Sequence, residues 1–432
     1  MFSSASAARE CRPLSGALSW VLVFAACAAP AWSAEPALSL GEALRTASRE
    51  APGLSAQDAA IRAAREASVG AAELPDPKLI VGVENLPLEG GDRFSLTRDF
   101  MTMRKVGVTQ DFVSSEKRQL KGERAHAEVL KEVAVLSATS ASLRRDVAQA
   151  WIEAWLAERQ LALLQELEGE ARLAVDAARA ALAGGKGQAS EPFAAQLAEG
   201  QLADRMIEAR RAIARTRALL ARWVGELAQR SLGNAPDFAR LAHEHSALLA
   251  DLETHPHLAM YAPMQAMADA EVRLAEAAKH PDWSLEVAYA QRGPAYSNMV
   301  SVGIRIDLPL FEARRQNPAI ASKLASAEQV RAQAEDARRA HVAEINVWLA
   351  DWHAAMERVR RFESAQIPLA RERSQITLAD YRGGKGELAA VLEARRSEIE
   401  TRLAHLQAMG DMARAWAQLN FVLPAAESEG RR

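Results

Sequence analysis

The chain is written twice. Trp151 and Trp155 in "DVAQAWIEAWLAERQ" recur as Trp348 and Trp352 in "EINVWLADWHAAMER", 197 residues later. The quartet Gly-Gly-Lys-Gly at 184–187 recurs at 383–386, 199 residues later. Upstream, "LPDPKLIVGVEN" from Leu74 is similar to "HPDWSLEVAYAQ" from His280, and "MRKVGVTQDF" to "MVSVGIRIDL". Features in the same order at nearly constant offset mark a duplicated unit, so any fold for this chain must build that unit twice.

Each copy opens with a helical pattern, at about 40–72 and about 257–279, the latter with Thr254 as N-cap and His255-Pro256 as its start. Two strand candidates follow. In the second copy Trp283, Leu285, Val287 and Tyr289 alternate with Ser284, Glu286, Ala288 and Ala290, and Val300, Val302, Ile304 and Ile306 alternate with Ser301, Gly303, Arg305 and Asp307. Such alternation is the period of a half-buried strand. Strands are expected at about 78–85, 104–112, 283–291 and 299–308. Their length suits a tilted crossing of a bilayer.

After the strands the pattern is helical for a long way. Residues 114–183 contain no Pro and only two Gly, Gly122 and Gly169, and 318–382 contain no Gly, with Pro368 as the expected kink. Helical patterns resume beyond each glycine quartet, to about 232 and 423. Each quartet therefore reads as the turn of a long antiparallel helical hairpin, with Gly supplying the left-handed backbone of a C-cap. The expected organisation is a first repeat over 35–232, a bridging segment of short irregular elements over 233–256, a second repeat over 257–423 and a tail over 424–432. The fold class is mainly α with a small β part.

Composition agrees: 49% hydrophobic with only 5% aromatic suits closely packed Ala-rich helices. A net charge of −3 leaves no footprint for nucleic acid. Neither a nucleophile–base pairing nor a phosphate-binding loop is evident, so an enzyme is not expected, and no cofactor is implied. Residues 1–34 read as a signal peptide, with Arg9 and Arg12 ahead of a short apolar core and cleavage after Ser33 or Ala34. A competing reading makes "FAAC" a lipoprotein box with Cys27 lipidated. Cys11 and Cys27 are the only cysteines.

Four amphipathic strands cannot close on themselves around a pore. Left open in lipid, their edge N–H and C=O groups would go unsatisfied at several kcal/mol each. Several chains must therefore pool their strands. On these residues the sequence resembles the TolC family of outer-membrane efflux channels. "YRGGKGELAAVLEARRSEIETR" from Tyr381 is similar to that family's second hairpin turn, "LSLGEALRTA" from Leu38 to its opening segment, and "IRIDLPLFEARRQ" to its entry into the second long helix. Residues 280–311 look most like the heavy-metal branch, of the cobalt–zinc–cadmium and copper–silver types. The resemblance implies a homotrimer in outer-membrane lipid with a 12-stranded barrel and a periplasmic helical tunnel. It also implies a periplasmic adaptor and an inner-membrane, proton-driven RND transporter as partners. The alternative is the outlet of a multidrug exporter or type I secretion system, which would share the architecture. A third reading is a soluble coiled-coil scaffold whose strand candidates are loops.

The resemblance further implies an adaptor-facing tip at Gly184, Gly185, Lys186, Gly187, Gly383, Gly384, Lys385 and Gly386. It also places Glu393 at a pore aperture, while Ala390 departs from the second acidic position of that ring. Against this stands a solvated Glu on a helix face. His243, His245, His255 and His257 fall within 15 residues and are candidate metal ligands, although neither pair has helical i, i+4 spacing. Met101 and Met103 are candidates for a soft ion. The paired Trp residues read as packing anchors.

Overall fold

The computed structural model describes residues 36–185, 188–250 and 252–423, without the side chain of His245. Residues 1–35, with the expected signal segment and Cys27, together with Lys186, Gly187, residue 251 and 424–432 lie outside the described residues. The compact unit beginning at Ala37 follows the duplicated order. In the first repeat it runs α1 (Leu40–Glu50), α2 (Pro52–Ala71), β1 (Lys78–Glu84), β2 (Met103–Phe112), α3 (Ser115–Ala183) and α4 (Glu191–Val224). A bridging stretch carries α5 (His245–Leu248). The second repeat runs α6 (Tyr261–Ala277), β3 (Trp283–Gln291), β4 (Met299–Ile306), α7 (Gln316–Arg361), α8 (Ile367–Arg382) and α9 (Leu388–Asn420).

Local chemistry sets the boundaries. Ser39 caps α1 by accepting from the Glu42 N–H, and Ser114 caps α3 by accepting from the Lys117 N–H. The first helix is not continuous over 40–72: Pro52 has no N–H to donate, so the chain breaks at Ala51 and restarts with Pro at the first helical position. The helix expected from His255 instead begins at Tyr261, because 252–254 form a 3-10 turn and the next residues close further turns onto the Leu252 and His255 carbonyls. That path buries the His255 side chain completely. With 69 residues, α3 is about 103 Å long at 1.5 Å per residue. Its counterpart is interrupted by a π-turn at Phe362–Gln366, directly before Pro368, whose ring cannot accept an ordinary helical turn behind it.

The main core gathers where the two repeats meet. Trp151, Trp155, Ile345, Trp352 and Trp416 pack with Leu38 and Phe238. Three indole N–H groups satisfy carbonyls of the connecting strands of chain: Trp151 donates to Leu38 (3.0 Å), Trp352 to Phe238 (2.9 Å) and Trp416 to Arg240 (2.9 Å). Leu38 is pinned from both sides, donating to the Ser231 carbonyl and accepting from the Gly233 N–H. The anchors therefore bury both their rings and their polar edges.

Candidate functional site

Two regions carry the chemistry that bears on function: the sheet, and the tips of the helical hairpins. The sheet is a single antiparallel one with strand order β1-β2-β3-β4. Its register aligns Leu79, Val108, Val287 and Val302 in one cross-strand row and Val81, Val106, Tyr289 and Val300 in the next. All eight of these side chains are exposed, Val81 by 71% and Val302 by 69%. A contiguous apolar face of this size, left uncovered, is not the surface of an isolated soluble protein.

The opposite face is built differently. Gly107, Ala288 and Ser301 stand in register across its middle, and a Cβ at Gly107 would come within 2.7 Å of the Ala288 Cβ. Charged residues flank these small ones and pair across strands. Lys105 bridges Glu84 (3.0 Å) and Glu286 (2.7 Å), Lys78 meets Asp111 (2.7 Å), and Arg305 approaches Glu286 (4.0 Å). The sheet therefore has one face suited to hydrocarbon and one suited to water. The outer edges of β1 and β4 have no strand beside them among the described residues.

At the far end, the two hairpins turn in the same way. Gly185 and Gly384 occupy the left-handed region at φ +70° and +72°. Gly184 donates to Ala180 and Gly383 to Ala379, while Gly185 donates to Leu182 and Gly384 to Tyr381. Glycine is there because a Cβ opposes that backbone. The tips pack on each other through Val175, Ala178, Ala195, Leu388 and Val391, with Tyr381 alongside. Burial, and then the nearby Glu191 carboxylate, push the Tyr381 hydroxyl above its usual pKa. Lys385 and Gly386 are exposed, and Phe193 presents an uncovered ring (72% exposed) close to the first turn. Glu393 is exposed on the second turn of α9, and Arg396, three residues on, pairs with Glu400 (3.0 Å).

The four histidines do not assemble as a set. His255 is brought instead against His341 of α7, with Nδ1 to Nε2 at 2.9 Å, and His257 lies beside that ring at 6.3 Å between centroids. Burial first holds all three imidazoles below their ordinary pKa, so they sit neutral. His243 is placed apart on the bridging segment, and the side chain of His245 is outside the description. No group of three or more His, Cys, Asp or Glu able to hold a metal occurs among the described residues. His341 escapes the sequence because it lies 86 residues from its partner and has no other histidine within two turns of it along α7.

Residues 227–424 match the family model of the outer membrane efflux protein. No curated protein matches the chain in sequence. Solved structures share its fold. The outer-membrane channel OprN is 17% identical over 90% of each chain (TM-score 0.76), and a membrane protein from Pseudomonas aeruginosa is 18% identical over 91% of each (0.78). The outer membrane protein VceC from Vibrio cholerae is 18% identical over 89% of this chain and 96% of its own (0.74).

Proposed function

We propose that this chain is one subunit of an outer-membrane efflux duct. Three copies pool their sheets into a closed 12-stranded barrel, apolar face toward lipid and ion-paired face toward the lumen. The long hairpins continue the conduit into the periplasm. The single observation that carries this reading is the two-faced sheet with open edges, which only further strands can complete in a bilayer. The family model over the second repeat and the shared fold of outer-membrane channels support it.

In this reading the tips, with Gly184, Gly185, Lys186 and Gly187 in one turn and Gly383, Gly384, Lys385 and Gly386 in the other, face a periplasmic adaptor. The adaptor connects the duct to an inner-membrane RND transporter. Three copies of Glu393 ring the aperture. The cargo is heavy-metal cations, as residues 280–311 suggest by their likeness to that branch. The duct itself is passive.

Deletion of the gene followed by growth in graded copper, silver, zinc, cobalt and cadmium tests this reading. Lost tolerance to at least one metal is expected. Unchanged tolerance to all five, with sensitivity to organic drugs, would replace the cargo by that of a multidrug exporter.

A further inference from the structure

The sheet treats its cations differently on its two faces. On the water-suited face Lys105 is shared between Glu84 and Glu286. Arg104 lies on the apolar face instead, in register with Val83 and Gln291 and one row nearer the loops than Val106 and Tyr289. Arg292 follows directly on β3. Neither arginine forms an ion pair among the described residues. Carboxylates close by in the sequence are already occupied: Asp99 accepts from the Met101 and Thr102 N–H groups (2.8 and 3.1 Å), and Glu84 from Lys105 (3.0 Å).

Both arginines are held by the loops that join the strands. Arg292 donates through Nη2 to the Phe100 carbonyl and lies over the Tyr296 ring, 4.9 Å from its centroid. Its backbone N–H is accepted by the Asn298 side chain (3.1 Å), and Gly293 beside it packs so tightly on Thr97 that a Cβ would not fit. Arg104 reaches the Arg292 carbonyl through a single long bond from Nη2 (3.4 Å). In both side chains the Nε–H is buried without an acceptor. Each residue as a whole is only half-buried, so the rest of the guanidinium stays within reach from outside. A buried donor left unmet is costly, and two of them on positive charges favour an anion.

These loops close the end of the sheet away from the helices, since the other ends of the two β-hairpins join α2, α3, α6 and α7. β3 runs 9 residues from Trp283, the length of a tilted bilayer crossing. We propose that Arg104 and Arg292 hold a phosphate monoester on the headgroup of an outer-leaflet lipid. Two planar guanidinium forks match the charge of about −1.5 to −2 on a monoester, where the diester of an ordinary phospholipid carries a single charge. The exposed apolar side chains of Val106, Tyr289 and Val300, in the next row, would lie along its acyl chains. This inference rests on the outer-membrane reading above and adds a ligand to it.

The full-length oligomer, purified in detergent, provides the test by native mass spectrometry with added lipid. Lipid A, a glycolipid bearing phosphate monoesters, is expected to stay bound. Dephosphorylated lipid A and phosphatidylglycerol should be retained about tenfold less. Arg104→Gln should lose about tenfold in lipid A retention with no change in lipid-free melting, because the bond it gives up within the chain is a single long one. Arg104→Lys, which keeps the charge and loses the fork, should fall between. Arg292→Gln should lose as much as Arg104→Gln, and where it also loosens the loops, Arg104→Gln decides. Equal retention by Arg104→Gln, or equal retention of the dephosphorylated lipid, overturns the site. Inorganic phosphate that displaces lipid A at equal concentration makes the free anion the ligand and overturns the lipid assignment. Either failure in an oligomer that needs detergent leaves the duct standing. A chain that is monomeric and extracted without detergent overturns the duct reading itself.

Discussion

Gly185 and Gly384 sit at corresponding points of the two turns with nearly equal positive φ. Replacing Gly384 by Ala forces a Cβ into a region that costs an L-residue about 1–2 kcal/mol. Amide exchange around 380–388 should quicken accordingly, while exchange near Trp151 stays unchanged. The indoles give a second residue-scale prediction. Trp151→Phe removes the indole N–H and leaves the Leu38 carbonyl with its bond from the Gly233 N–H, and should cost about 0.5–1.5 kcal/mol in denaturant unfolding. Trp151→Ala, which also opens a cavity, should cost about 3–5 kcal/mol. These positions were legible because duplication marks them twice in the sequence. His255 and His341 were not, since no local spacing links residues that only tertiary packing brings to 2.9 Å.

Strands were the most legible elements: β3 matches its expected bounds and the others differ by one or two residues, because β3 and β4 alternate apolar with polar or small side chains at a period of two and β1 and β2 keep a weaker form of it. That same alternation predicts a contrast. In the proposed barrel, Val302→Arg places a charge on the lipid side and should destabilise the inserted protein by about 2–4 kcal/mol if it lies near the bilayer midplane. Ser301→Arg, on the other face, should be tolerated, and heat-resistance of the oligomer on gels distinguishes them. Among the helices, Glu271 of α6 ties α7 through Lys323 (2.7 Å) and α3 through Arg124 (2.9 Å). The Lys323 hydrogen bond first, and then that of Arg124, hold its pKa below the 4.5 of a free Glu. Its folded pKa being depressed, the contribution is complete above that value and is lost as the pH falls through the folded pKa. Glu271→Gln should therefore lower stability at pH 7 by about 0.5–1 kcal/mol and flatten the melting curve's acid dependence. The onset of α6 escaped prediction because Thr254 and Pro256 imitate a helix start that the buried turn at His255 does not use.

At the scale of the molecule, the copies are unequal. From Trp155 to Gly184 the chain runs 29 residues, and from Trp352 to Gly383 it runs 31, so the second hairpin carries two extra residues on one arm. The π-turn at 362–366 falls in that stretch and takes up part of the surplus, as such turns do for inserted residues. Phe362 and Glu363 there rest against His405 of α9. Pro368 stands where the first repeat has Gly169, so the sequence located the bend without disclosing its form. The water-suited face of the sheet has a further consequence for traffic. Lys78, Lys105 and Arg305 are matched by Asp111, Glu84 and Glu286, so the wall cancels its own charge. With the proposed acidic ring removed by Glu393→Gln, the pore reconstituted in a planar bilayer under a potassium chloride gradient should show a reversal potential close to zero. In the proposed duct, whatever sorts one solute from another must then act before the cargo reaches this last stretch.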